Sequence, residues 1–183
     1  MRVYLASDHA GFELKKALIP YIGSLGGAGN GAEGNGEGEG TYEVVDVGPE
    51  TLDPEDDYPE LIAPCAEKVA AEAEGRAGES AAAFGIIIGS SGQGEAMVAN
   101  RQKGVRAAVF YGRAPQARAL EAEGTPGTDP FDVVRVAREH NDANILSLGA
   151  RFISEDDAKE AVRVFLQTPF SNAARHTRRI AEF

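Results

Sequence analysis

"GIIIGSSGQGEAMVAN", Gly85 to Asn100, is the stretch that decides the fold class. It opens on a short apolar run, passes through a turn of serines and glycines, and resumes in a helix-forming segment. An apolar run too short for a helix and ended by glycine reads as a buried strand feeding a tight turn. Such a turn leaves backbone N–H groups at the start of the following helix, a position that favours an anion. Glu95 therefore places a carboxylate beside a hollow suited to negative charge. No lysine follows the last glycine, so the turn is not a P-loop. Nor does it follow the first strand, as a dinucleotide fingerprint would. A turn chosen only for its backbone angles would account for Gly92 and Gly94 and be indifferent to Glu95.

Outward from this stretch the chain alternates strand and helix. Strands are expected at Arg2–Ser7, Tyr42–Gly48, Ala82–Gly89, Arg106–Gly112 and Asn144–Ala150. After the first strand, Leu14, Leu18, Tyr21, Ile22 and Leu25 share one helical face, and Pro20 should kink that helix. A helix over Asp56–Glu74 has Asp57 as its N-cap and Pro59 in its first turn, and it carries Cys65 as a packed apolar residue. A helical patch follows the fourth strand, and Val133–Asn141 forms another helix. Ser154 caps a last amphipathic helix bearing Ala158, Ala161, Val162 and Phe165. Strands separated by helices predict a parallel sheet with right-handed crossovers and helices on both faces, a Rossmann-like α/β sandwich.

The length of 183 residues suits one domain, 1–183, interrupted twice. Gly26 to Gly40 contains only Gly, Ala, Asn and Glu, has nothing to bury, and reads as a flexible surface insertion. Residues 121–132 form a second loop dense in glycine and proline. A net charge of −11 argues against a general nucleic-acid binder, although local arginines could still hold a small phosphorylated ligand. The single cysteine excludes an intrachain disulfide and a cysteine-based metal site. There is no signal-peptide pattern and no apolar run near the roughly 18 residues of a membrane span, so a cytoplasmic protein is expected.

In parallel α/β sheets ligands bind outside the carboxyl ends of the strands. Asp8 and His9 follow the first strand, the serine–glycine turn the third, and Arg151 the fifth. Capping of the next helix would explain Asp8 but not the histidine beside it. His140 and Asn141 read either as ordinary residues at a helix end or as members of the site, in reach only if their helix ends near the same edge. At the C-terminus Arg175 and Arg179 are four residues apart and share a helical face. They form either a solvated basic end or a phosphate clamp, and the clustering in so acidic a chain favours the clamp.

Taken in order, "SDHAGFELK", "DDYP", "GSSGQGEAMVAN", "KGVRAA", "REHNDAN", "LGAR" and "ARHTRRI" resemble the motifs of type B ribose-5-phosphate isomerases. The resemblance covers nearly the whole chain apart from the two insertions. It implies a five-stranded parallel sheet in an α/β sandwich, and a dimer or dimer of dimers with sites shared between subunits. The implied chemistry is interconversion of ribose 5-phosphate and ribulose 5-phosphate through an enediolate, without metal or cofactor. One branch of the family carries a cysteine base just ahead of the glycine turn. Ser90 stands there in this chain, which resembles instead the branch in which a glutamate follows the turn, so Glu95 matches the base.

By the same resemblance Ser90, Ser91, Gly92, Gln93 and Gly94 form the anion hole. His140 is the ring-opening acid, Asp8, His9 and Asn141 contact substrate, and Arg151, Arg175 and Arg179 bind its phosphate. Two other readings stand beside this one: the same chemistry on a six-carbon phosphate such as allose 6-phosphate or galactose 6-phosphate, and a non-catalytic phosphosugar-binding protein.

Overall fold

The β-branched and apolar runs singled out above all become strands. The protein's structure, a computed structural model, describes residues 1–26, 42–73, 83–119 and 126–182. The strands are β1 (Arg2–Ser7), β2 (Glu43–Asp46), β3 (Ala83–Gly89), β4 (Ala107–Phe110) and β5 (Ile145–Gly149). They form one sheet in the order β2-β1-β3-β5-β4, and every neighbouring pair is parallel. Every residue of the central β3 is buried, which is why its sequence is apolar without alternation.

The α-helices among the described residues are α1 (Phe12–Leu25), α2 (Tyr58–Ala73), α3 (Gln93–Ala99), α4 (Asp132–Asn141), α5 (Glu155–Gln167) and α6 (Ala174–Ile180), and a 3-10 turn at His9–Gly11 precedes α1. Alternation along the strands splits the core in two. Val3, Leu5, Phe84, Ile86, Ile88, Leu146 and Leu148 face one way and pack with residues of α1, α4 and α5. Tyr4, Ala6, Ile87 and Ile145 face the other way and meet Ile62, Cys65 and Val69 of α2 and Ala99 of α3. The result is the expected three-layer sandwich. No helix among the described residues is long and apolar enough to cross a membrane.

Local expectations mostly hold. Ser154 caps α5, accepting from the Asp157 N–H at 3.1 Å. The helix α1 carries Pro20 in its interior and runs on to Leu25. The helical patch expected after β4 is not formed: residues 113–119 are irregular. Pro115 breaks that stretch, and its neighbours bond to the second loop instead. The Ala114 N–H donates to Pro130 O at 2.9 Å, while Gln116 donates to Asp132 at 2.7 Å and accepts from the Gly127 N–H at 2.9 Å. Apart from Gly26, the Gly-rich segment falls outside the described residues, as do 120–125 of the second loop.

The strand order positions the site. From β1 the chain moves outward to β2, then crosses to β3 on the other side of β1. A crevice opens at such a switch point, outside the carboxyl ends of β1 and β3. Ser7 pairs with Ile88, and Gly89 with Gly149, so the ends of β1, β3 and β5 are level.

Candidate active site

At the end of β1 the chain turns sharply. The Asp8 N–H donates to Ile88 O at 3.2 Å, and the Asp8 carboxylate accepts from the Gly11 N–H at 3.0 Å, so the expected cap is present. Gly11 is required here, because a Cβ would lie 2.6 Å from Ile88 O. The turn presents His9, whose Nδ1 lies 2.7 Å from Asp56 Oδ1. That hydrogen bond holds the His9 imidazole above its ordinary pKa, reinforced by the Asp8 and Asp56 charges and opposed by burial and by Arg151. Arg151 is exposed, and its backbone N–H donates to Ser90 O at 3.1 Å.

The glycine turn follows β3. Gly92 takes the left-handed conformation at φ 75°, which favours glycine. Ser147 on β5 donates its hydroxyl to Gly92 O at 2.7 Å, pinning the turn from below. Ser91 Oγ accepts from the Gln93 N–H at 3.3 Å. The Tyr58 ring closes on Gly94, where a Cβ would be 2.8 Å from it. The N–H groups of the first turn of α3 have no acceptor within the helix.

Glu95 enters from that first turn and is 4% exposed. Its carboxylate lies over Gly89, where any Cβ would collide with it. Among the described residues Oε2 has no hydrogen-bond partner. Burial pushes the carboxyl above its ordinary pKa and the Asp8 charge adds to this, while backbone hydrogen bonds at Glu95 and Gly92 oppose it. A buried carboxyl with a free oxygen and a raised pKa, set beside the backbone amides of a helix start, is equipped to move a proton and to steady the charge left behind.

The second group of expected residues lies at the other edge of the sheet. As the crossover leading into β5, α4 runs back against the strand direction. His140 and Asn141 end it, and the Asn141 carbonyl accepts from Arg106 Nε at 2.9 Å just ahead of β4. The His140 ring packs on His176 of α6 with centroids 4.2 Å apart. His176 Nδ1 lies 2.8 Å from Ser171 Oγ, and its Nε2 accepts from Arg175 Nε at 3.1 Å. Burial, His140 and the nearby arginines hold the His176 imidazole below its ordinary pKa. Arg179 is exposed on the same helix.

Strands of this length span roughly 15–20 Å. Within one chain, therefore, His140, Asn141, Arg175 and Arg179 do not meet Glu95. The condition attached to His140, that its helix end near the same edge, is not satisfied inside a single copy.

The sequence reading overlooked Asp56, Tyr58, Gly89 and Ser147. Asp56 and Tyr58 belong to "DDYP", which offers a helix start and one of the resembling motifs but no role for either side chain. Ser147 had a signal, a lone hydroxyl in the apolar "NILSLGA". A cavity of about 550 Å³ lies between α1 and the start of α5, lined by Glu13, Leu14, Lys16, Ala150, Ile153 and Glu155. None of the expected site residues lines it. Among the described residues no three His, Cys, Asp or Glu side chains come together as a metal site.

The fold and this edge define a doubly wound α/β protein with an anion-ready glycine turn and a buried carboxyl at its switch point. Residues 3–122 and 128–183 match the family model described as Ribose/Galactose Isomerase, and the chain belongs to that family. It is 33% identical over 180 residues to ribose-5-phosphate isomerase B of Mycobacterium tuberculosis, covering 98% of this chain and 86% of that protein. Among solved structures it resembles ribose-5-phosphate isomerase B from Mycoplasma genitalium with bound ribulose-5-phosphate. There the TM-score is 0.74 at 29% identity, over 99% of this chain and 92% of the other. The type B enzyme from Trypanosoma cruzi gives a TM-score of 0.72 at 31% identity, over 99% of this chain and 92% of that one.

Proposed function

We propose that the chain interconverts D-ribose 5-phosphate and D-ribulose 5-phosphate, as an aldose–ketose isomerase of the pentose phosphate pathway in the cytoplasm. The carrying observation is Glu95: buried, with a raised pKa and an unpartnered oxygen, it sits on the first turn of α3 at the sheet's switch point. The relatives' names supply the substrate.

In this reading Glu95 takes the proton from C2 of the open-chain aldose and returns it to C1, while the 2-hydroxyl proton passes to O1. The electron pair left at C2 forms the enediolate, whose oxygen is held by amides of Ser90–Gly94. Each such donor is worth about 3 kcal/mol of transition-state stabilisation. Glu95 becomes neutral as the substrate oxygen becomes charged, which is why a carboxylate belongs beside an anion hole. Glutamate serves as the base in place of cysteine: Ser90 stands ahead of the turn. Cys65 lies elsewhere, fully buried, with its thiol pushed up to about 12.

The two half-sites are completed between copies. His140 of a second copy protonates the ring oxygen during opening, with its Asn141 as a substrate ligand. Its Arg175 and Arg179 join Arg151 and His9 of the first copy around the phosphate. Support comes from the separation of the two groups along the strands, which leaves each incomplete alone. A homodimer or a dimer of dimers follows, built from one domain whose loops at 26–40 and 121–132 are insertions.

The test is an assay of purified protein on ribose 5-phosphate, with and without a chelator. Turnover that resists chelation agrees with metal-free enediolate chemistry. Faster turnover of allose 6-phosphate or galactose 6-phosphate would move the substrate to six carbons. Tight phosphosugar binding with no turnover of any of them would refute the enzyme reading.

A further inference from the structure

The connection from β2 to α2 carries no residue of the proposed chemistry, yet it is tied down firmly. Lys15 of α1 is 1% exposed, and its Nζ donates to both carboxylate oxygens of Asp46 and to Pro49 O, each at 2.8 Å. This clamp anchors the start of the connection, and Asp56 lies near its other end. The Asp56 side chain is 10% exposed, its Oδ1 meets His9 Nδ1 at 2.7 Å, and its Oδ2 is buried with no hydrogen-bond partner among the described residues. A buried carboxylate needs a cation. Among the described residues His9 is the ion-pair partner of Asp56.

We propose that Asp56 is a positioning residue: it orients the His9 ring and supplies its counter-charge, so that His9 and Arg151 receive the substrate's phosphate together. The inference rests on the isomerase reading for its substrate. With Nδ1 engaged by Asp56, the second ring nitrogen, Nε2, is left to bond the ligand, and His9 is a third exposed at its side chain. The charged groups that act on His9 are Asp8 beside it, Asp56 from the β2–α2 connection and Arg151 after β5. Two carboxylates against one arginine favour the imidazolium, the form suited to a phosphate dianion. As pH rises through the elevated midpoint of His9 the cation is lost and binding weakens. Without Asp56 that loss comes at lower pH.

The experiment compares Asp56→Asn, His9→Gln and the double variant by kinetics and by calorimetric binding of ribose 5-phosphate. NMR titration of the His9 ring in wild type and Asp56→Asn accompanies it. Asp56→Asn is expected to lower the His9 midpoint and raise KM about tenfold near pH 8, with kcat nearly kept. The difference should shrink as pH falls, because the ring is then protonated in both proteins. In the His9→Gln background, removing Asp56 should add nothing further. An unmoved His9 midpoint, or additive losses in the double variant, would overturn the proposal by showing that Asp56 merely braces the fold. Calorimetry needs no turnover, so an inactive wild type that binds ribose 5-phosphate sinks the isomerase reading while the Asp56–His9 pairing is still judged. Failure to bind ribose 5-phosphate at all overturns both.

Discussion

At Glu95 the proposed chemistry and stability pull in opposite directions. A carboxyl whose folded-state pKa is raised is disfavoured as the anion in the fold, so its ionisation destabilises the protein above that pKa and costs nothing below its unfolded value. Glu95→Gln should lower kcat roughly a thousandfold, as expected for a lost general base. Its melting temperature at neutral pH should be equal to or above wild type, with the gap closing as pH falls through the carboxylate range. Thermal scans at several pH values, beside the kinetics, would check this. A kcat within tenfold of wild type would remove Glu95 from the mechanism. For the wild type, the acid limb of kcat/KM should lie above the ordinary glutamate range, because the base must be ionised. Gly89→Ala makes a complementary case, since its methyl group occupies the space of the Glu95 carboxylate. A loss of about 1–3 kcal/mol in stability and at least a tenfold fall in kcat are expected.

Among the elements, the strand ends and their connections carry the interactions that shape the site. Ser147 reaches from β5 to the carbonyl of Gly92. Ser147→Ala should cost about 1 kcal/mol, read by chemical denaturation, and leave Gly92 O with the Ala96 N–H as its remaining donor. Lys15→Met removes a buried ammonium, leaving Asp46 without its cation, with the Gly48 N–H still donating to it, and Pro49 O without the Lys15 donor. Asp46 is 35% exposed, so water offsets part of the loss, and about 2–3 kcal/mol is expected. For a chain of this size that corresponds to a melting temperature lower by about 4–12 °C. An unchanged melting temperature would show that the clamp contributes nothing net.

For the whole molecule the distance between the two half-sites sets the prediction. Glu95→Gln and His140→Asn should each be nearly inactive alone. Mixed, denatured and refolded together, they should recover about a quarter of wild-type activity. Half the dimers are then hybrids, each with one intact and one doubly altered site. No recovery from a mixture shown to contain hybrids would mean that each site is built within one chain. Sedimentation of the wild type should give at least twice the 19.3 kDa chain mass.

Much of this was legible along the chain. Periodicity and glycine placement located the strands, the turn after β3 and the cap of α5, because those signals depend on neighbours in sequence. Asp8, His9, Glu95 and Arg151 could be singled out from the rule that parallel sheets bind ligands at their carboxyl ends. The helix expected near Pro115 failed because its polar groups found partners in the loop at 126–132, far along the chain from their own turn. Asp56 and Ser147 were out of sight for a related reason. Their bonds to His9 and Gly92 join residues 47 and 55 positions apart, and no local pattern records such a pairing. The sequence by itself determined the alternation of elements, the parallel sheet and the chemical types at its edge. Only the tertiary structure decided the strand order and which edge each residue reached. It thereby parted His140 and the C-terminal arginines from Glu95, because a crossover helix must run back along the sheet before the next strand begins.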